Sequence, residues 1–344
     1  MNAKEWMKSI IRGFMCLSGI IGNHWLGFRS LPKSRSQLRT NDILFVNLAL
    51  SNLITNYLVD LPDTLDFVNR WRMGKMYCGA FNFCSNLSET SSIFTTLFIT
   101  VFWHQKLVGS LKRGGAPAQM DNVRLVAALL VGSWIAAVVF SLPQFFFVSV
   151  TMWNESLVNC VEYFPSQEAR QIYETLYLTL ANVVPIVGIV VASIQIAATL
   201  LQNQKRIKNT TRAGTRGGNP LVAEDQRRAA GRNAMTSTTN PTPPEFSSKI
   251  ITSNIPNHEQ TVRKSQDRSF TSAGNQVRAA KSVVAVATLF LICWLIHLLL
   301  SITSTVFQST VVDEMTSYIG AVYTCIIPYI YLHGVKKLNC SSRD

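Results

Sequence analysis

The chain has 344 residues, 48% of them hydrophobic and only 15% charged. Soluble proteins carry about 25% charged residues, so this composition excludes a disordered chain and argues against an ordinary soluble enzyme. The net charge of +13 raises a nucleic-acid partner as a question for the charge placement to answer, and seven scattered cysteines do not make a disulfide-stapled mini-protein.

An apolar run of about 20 residues crosses a bilayer as a helix. Seven such runs are expected, at roughly 9–29, 43–68, 79–105, 123–148, 172–202, 279–306 and 316–333. The predicted fold class is an all-α membrane protein, a bundle of seven transmembrane helices. Helices one to five lie in 1–202, helices six and seven in 279–333, and a short tail in 334–344. No cleavable signal peptide is apparent, so the first span is expected to act as its own insertion signal.

The first span holds Gly22-Asn23 and the second holds Asn47 to Asn52. A buried amide in lipid needs partners, so Asn23 and Asn52 are expected to bond each other or nearby backbone. Trp71, Gly74 and Cys78 open the third span. Below them Asn82, Ser85, Glu89, Ser92 and Thr96 follow in steps of three and four, which places all five on one helix face. A polar stripe in lipid faces the bundle interior or water, and a carboxyl at mid-membrane is usually functional. Glu89 is 11 residues below Cys78, about 16 Å along a helix. It is expected to be the acid deep within the helices.

The fourth span holds Trp134. Its following loop carries Cys160 and the glycosylation sequon at Asn154. Cys78 and Cys160 are expected to form a disulfide on the oxidising side, with Cys84 as the rival partner. The fifth span holds Pro185, and Gln144, Tyr173, Glu174 and Tyr177 are expected near a cavity mouth. The stretch 203–278 is rich in Thr, Ser, Asn, Gly and Pro without apolar periodicity, and reads as a disordered basic cytoplasmic loop. The sixth span holds Phe290, Cys293-Trp294 and His297. His297 is expected at the depth of Glu89, beside Trp294; as an unperturbed His it would titrate near neutrality. In the seventh span Pro328 frees a carbonyl and allows a kink, three residues before Tyr331.

Charge placement sets the topology. With the N-terminus outside, inner segments hold 25 basic and 8 acidic residues, and outer segments 7 basic and 10 acidic. Basic residues of short loops stay inside, so the C-terminus is expected inside as well. The positive excess is then a topology signature, and no nucleic acid is expected as a partner.

Gly22-Asn23, Asn47-Leu48-Ala49, Trp71, Cys78, Trp134, Cys160, Pro185, Phe290, Cys293-Trp294, Pro328 and Tyr331 together resemble the rhodopsin-like G-protein-coupled receptors. The chain departs from that pattern at four places. The acid-base-aromatic triplet ending helix three is Phe102-Trp103-His104, and the helix-two Asp is Asn52. Ile296 replaces the proline after Cys-Trp, and Ile327 the Asn before the helix-seven proline. These departures resemble the vomeronasal type-1 branch, and FWHQKLVGSLKRGGAPAQMDN (102–122) looks like the fish olfactory receptor class A-related proteins. The resemblance implies a plasma-membrane chemosensory receptor for a small odorant or pheromone, coupled to a heterotrimeric G protein of the inhibitory class. Glu89, His297, Ser85, Asn82, Trp294, Gln144 and Tyr177 are the candidate ligand residues; Trp103, His104, Pro328 and Tyr331 are the candidate coupling residues. An orphan amine-type or other small-molecule receptor of the same fold is the alternative.

Enzyme chemistry finds no footing. His258-Glu259 is followed by Val262 where a zinc protease needs a second His, and no Gly-x-Ser-x-Gly elbow occurs. A retinal pigment would need a lysine in the seventh span; 316–333 contain none, so no cofactor is expected. A transporter would favour inverted repeats, and none is apparent.

Overall fold

The structure is a computed structural model that describes residues 3–32, 38–69, 74–112, 118–153, 157–216, 280–296, 299–300 and 310–340. Trp71, Asn154 and His297 lie outside the described residues. The described part of the bundle falls within one compact unit, Met1–Thr199 with Gly274–Asp344. Residues Leu200–Ala273 form a second unit, of which Leu200–Arg216 are described and helical.

Seven helical spans run through the described residues. Span one is α1, Ala3–Ser30. Span two is α2, Thr40–Thr55, continued by a π-helical turn at Asn56–Asp60 into α3, Leu61–Asn69. Span three is α4, Lys75–Lys112, and span four is α5, Val123–Phe146. An antiparallel hairpin follows, β1 (Val148–Trp153) paired with β2 (Leu157–Glu162). Span five is α6, Gln167–Leu176, a π-helical turn at Tyr177–Val183, and α7, Val184–Arg216. Span six is α8, Ala280–Ile296, and span seven is α9, Thr310–Cys340.

Local chemistry accounts for the boundaries. The Asn122 side chain accepts the first free amides of α5, from Arg124 and Leu125, and Ser166 caps α6 through the Ala169 amide. Each π turn sits just before a proline. Pro62 and Pro185 lack an N–H, and their rings crowd the carbonyls four residues back, at Leu58 and Ala181 inside the two π turns. The extra residue in each turn relieves that crowding without ending the helix.

Among the described residues, only Thr40–Leu65, Val123–Phe146 and Gln167–Arg206 are long and apolar enough to cross a membrane by composition alone. Span three is too polar for that criterion because its polar side chains are turned inward. Thr55 Oγ1 donates to Ser88 Oγ at 2.9 Å, Ser51 and Ser91 hydroxyls meet at 2.7 Å, and Asn47 Nδ2 donates to Thr95 Oγ1 at 2.7 Å. Asn47 Oδ1 in turn accepts the Trp134 indole N–H at 2.9 Å, so one amide ties α2, α4 and α5.

A second polar knot joins spans one, two, three and seven. Asn52 Nδ2 donates to Asn23 Oδ1 at 3.1 Å, as the sequence anticipates for that pair. Asn23 Nδ2 reaches the Thr324 carbonyl at 3.1 Å and the Asn56 side-chain oxygen at 3.3 Å. Asn52 Oδ1 accepts from Ser92 at 3.1 Å. Gly22 makes room for span seven, since a Cβ there would meet Pro328 Cγ at 2.8 Å. Tyr331, one turn past Pro328, is buried against Phe45, with ring centroids 4.7 Å apart.

Two sequence-based expectations change. The hairpin at 148–162 replaces a plain loop, and α7 runs on to Arg216, inside the stretch 203–278 read as irregular. Residues 217–279 lie outside the described residues.

Candidate functional site

The disulfide end of the bundle is organised around Cys78. Cys78 opens α4 and is joined to Cys160 of β2, with Cα atoms 5.7 Å apart. Cys84, the rival partner, is a free thiol. Cys160 pairs with Val150 in the hairpin, so the bridge pins both strands to the start of α4. Gly79 permits the approach: a Cβ there would lie 2.6 Å from the Phe145 carbonyl oxygen at the end of α5. Two residues past Cys160, Glu162 stands at the mouth of the bundle, where Gln144 Nε2 donates to its Oε1 at 2.9 Å.

Below the hairpin lies a cavity of about 810 Å³. One wall is the α4 stripe: Asn82, Ser85, Glu89 and Ser92 line it, with Ser88 beside them. Trp294, Phe290 and Cys293 contribute from α8, and Tyr323 and Thr324 from α9. Thr96, the lowest residue of the predicted stripe, is not in the described lining. It is buried, and its hydroxyl meets Tyr323 Oη at 3.1 Å; Ser92 meets the same oxygen at 3.0 Å.

The cavity floor is continuous with packing between spans. Ile93, Ile186, Ile189, Ala287 and Phe290 form a buried cluster from α4, α7 and α8, with Trp294 and Tyr323 packed against it. The Phe290 and Tyr323 rings meet edge to face, 5.1 Å between centroids. Such pairs contribute roughly 0.5–1.5 kcal/mol beyond area burial.

Two candidate ligand residues stand behind the described lining. Gln144 is not in the described lining; it is buried one turn from the end of α5, holding Glu162. Tyr177 is not there either, because the π turn it opens sets its ring against Phe140 and Tyr173, at 6.3 and 6.0 Å. Tyr173 donates to the Phe140 carbonyl at 2.9 Å, and Glu174 pairs with Arg170 at 2.6 Å.

Glu89 has acidic company nearer the mouth of the cavity. Asp60 and Asp63 of span two line the same cavity, as does Glu162. Asp60 sits in the π turn and accepts from Asn56 Nδ2 at 2.8 Å. Arg12 of α1 lines the cavity too, and donates to Asp63 at 2.8 Å.

At the far end of α4, Phe102 and Trp103 are buried, with rings edge to face at 5.4 Å. They occupy two places of the triplet that carries an acid and a base in the sequence pattern described above. No metal-binding group of His, Cys, Asp or Glu occurs among the described residues.

Comparison with known proteins gives one family. Residues 30–331 match the model of the "7 transmembrane receptor (rhodopsin family)". A rhodopsin of Faxonius virilis is 21% identical over 202 residues, covering 58% of this chain and 64% of that protein. The neuropeptide Y receptor type 6 of Mus musculus is 24% identical over 208 residues, covering 56% and 53%. The chain thus spans less than two thirds of the length of these curated relatives. The crystal structure of squid rhodopsin shares the fold, with a TM-score of 0.65 at 16% identity over 96% of this chain and 77% of that one. Matched along most of its length and built as seven helical spans, the chain belongs to the rhodopsin family of seven-transmembrane receptors, multi-pass proteins of the plasma membrane.

Proposed function

We propose that this receptor is chemosensory: it binds a small odorant or pheromone inside the bundle and activates a heterotrimeric G protein, of the inhibitory class that the sequence resemblance implies. The observation that carries the reading is the cavity under the disulfide-pinned hairpin. Its volume of about 810 Å³ suits a small organic molecule, since ligand pockets run to about 300–1,000 Å³. Its wall is mixed, with apolar side chains such as Phe81, Phe290 and Trp294 beside polar groups, Asn82, Ser85 and Glu89 among them. Trp294 and Tyr323 line the cavity and also pack on the cluster joining α4, α7 and α8. A ligand pressing on either ring therefore acts on interhelical packing. Pro328 and Tyr331 lie further along the same α9, and Trp103-His104 end the α4 stripe, where the G protein would be engaged.

In this reading the N-terminus and the hairpin are outside, and the basic loops inside. The Cys78–Cys160 bridge on the oxidising side and the count of basic residues both support that orientation. The vomeronasal type-1 affinity rests on Phe102-Trp103-His104, Asn52, Ile296 and Ile327. An amine-type receptor of another tissue would use the same cavity, and its acidic lining gives that second reading some weight; expression confined to olfactory epithelium separates the two.

The test is an odorant screen in cells carrying a promiscuous G protein. Active ligands should lose potency by at least about tenfold, ~1.4 kcal/mol, in Glu89→Gln at equal surface expression. Trp103→Ala should change basal or stimulated signalling. Wild-type dose-response curves in Glu89→Gln and in the bulky Ser85→Phe would refute a ligand site in this cavity.

A further inference from the structure

The inference concerns the ligand's charge, and it rests on the cavity being the ligand site. The described lining holds four carboxylates, Asp60, Asp63, Glu89 and Glu162, and one cation, Arg12. Arg12 is engaged: it donates to Asp63 at 2.8 Å, and its guanidinium lies over the Tyr318 ring, 4.9 Å from the centroid. Among the described lining an anionic ligand would meet three more acids than bases, and would reach Arg12 only by displacing Asp63. Glu162 is held at the mouth by Gln144 at 2.9 Å and by Arg170 at 3.5 Å. Asp60 is held by the neutral amide of Asn56, which orients its carboxylate without cancelling its charge.

The carboxylates stand at two levels. Thr55 faces Ser88, Ser51 faces Ser91 and Asn47 faces Thr95, which sets the antiparallel register of α2 on α4. Continued upward, that register puts Asp60 level with the region of Asn82 and Phe83. Asp60 is then about 10 Å nearer the disulfide end than Glu89, at a helical rise of ~1.5 Å per residue. Between the two levels the wall is mixed, with Ser85 and Asn82 beside Phe81 and Val59. Below, the faces of Phe290 and Trp294 offer an apolar and cation-attracting floor.

We infer that the cavity takes an organic dication of the α,ω-diamine or polyamine class, with one ammonium on Glu89 and the other on Asp60. Each ammonium would make charge-assisted hydrogen bonds to its carboxylate. The linker packs on Phe81, Val59 and Trp294. The volume accepts a linker bulkier than a simple methylene chain.

The experiment uses the full-length receptor in lipid nanodiscs and reads the ligand-dependent rise of the thermal unfolding midpoint. The probes are 1,5-diaminopentane, 1-aminopentane and pentanoate. The diamine is expected to stabilise the wild type at concentrations at least about tenfold lower than the monoamine, with no effect of pentanoate. Asp60→Asn and Glu89→Gln should each remove the diamine's advantage while leaving a monoamine response on the remaining carboxylate. If either variant fails to fold, competition of the two amines on the wild type still reads the advantage. Stabilisation by pentanoate, a diamine response unchanged in both variants, or none with millimolar diamine overturns the inference. Ser85→Phe puts a bulky ring on the wall between Asn82 and Glu89 and leaves all four carboxylates in place in the chain. A neutral or anionic ligand abolished by Ser85→Phe would overturn only the charge inference, whereas ligand responses that survive Ser85→Phe would overturn the cavity site itself.

Discussion

Span three turns one polar face to α2 and an adjoining polar face to the cavity, and the two faces behave differently. Toward α2, Ser88, Ser91 and Thr95 close hydrogen bonds of 2.7–2.9 Å with Thr55, Ser51 and Asn47. Toward the cavity, Asn82, Ser85 and Glu89 line open volume with Asp60 and Asp63 opposite. Both faces are built from the same kinds of residue at the same spacing. A hydroxyl whose partner is another side chain of the bundle holds helices together. A polar group that lines a cavity also meets whatever the cavity holds. Substitutions at Asn47, Ser51, Ser91 and Thr95, which lie outside the described lining, should therefore change stability and leave recognition alone, and those at Asn82, Ser85 and Glu89 should do the reverse.

The largest effect should come from the bridge that roofs the second face. Cys78–Cys160 anchors the hairpin that brings Glu162 to the cavity mouth. Loss of a native disulfide costs about 2–5 kcal/mol in small secreted domains. Cys78→Ala and Cys160→Ala are each expected to cut surface expression severely, measured by labelling of intact cells. Normal surface levels and signalling in both would show that the hairpin does not need its anchor.

Next comes the first face. Asn47 accepts from Trp134 and donates to Thr95, so Asn47→Leu strands the indole N–H and removes the bond the Thr95 oxygen accepts, leaving only the one it donates to the Ser91 carbonyl. A buried polar group left unpaired costs about 1–3 kcal/mol. The unfolding midpoint in nanodiscs should fall, and ligand potency per folded receptor should stay at the wild-type value. A potency shift without a change in midpoint would break the division between the two faces.

The readable part of this architecture is what depends on one helix at a time. Residues 82–96 announce an inward stripe through their three-and-four spacing, and the cavity wall follows it from Asn82 to Ser92. Ser88, Ser91 and Thr95 have the same spacing, so the second stripe was open to the same rule, although nothing in α4 alone names α2 as its partner. Asp60 and Asp63 are harder. They lie near the end of an apolar run, where charges normally signal water, and only the packing of α1 and α4 around the π turn shows them as lining. Glu162 depends on the hairpin, whose alternation in Val148–Trp153 is a strand signal hidden by the expectation of a loop between spans. Gln144 and Tyr177 stand just behind the described lining, because depth along a helix does not fix direction around it: Gln144 holds Glu162, and the Tyr177 ring packs beside Phe140, near Glu89.

The smallest effect is the most discriminating, because it falls where the two faces meet. Ser92 lines the cavity and bonds both Asn52 and Tyr323, at 3.1 and 3.0 Å, whereas the Thr96 hydroxyl, below the lining, meets the same Tyr323 oxygen. Removing one interhelical hydrogen bond in a membrane protein costs about 0.6 kcal/mol on average. Thr96→Val should lower the unfolding midpoint by that small amount and leave potency unchanged, since Ser92 still holds the Tyr323 hydroxyl. Ser92→Ala should cost more, because it releases Asn52 as well, and should also shift potency by altering the wall and the tilt of Tyr323. A double-mutant cycle between the two positions then reads whether Tyr323 carries strain from the cavity into the packed face. Coupling near zero in both stability and potency would mean that Tyr323 only fills space, and that ligand binding reaches the far end of the bundle through Trp294 instead.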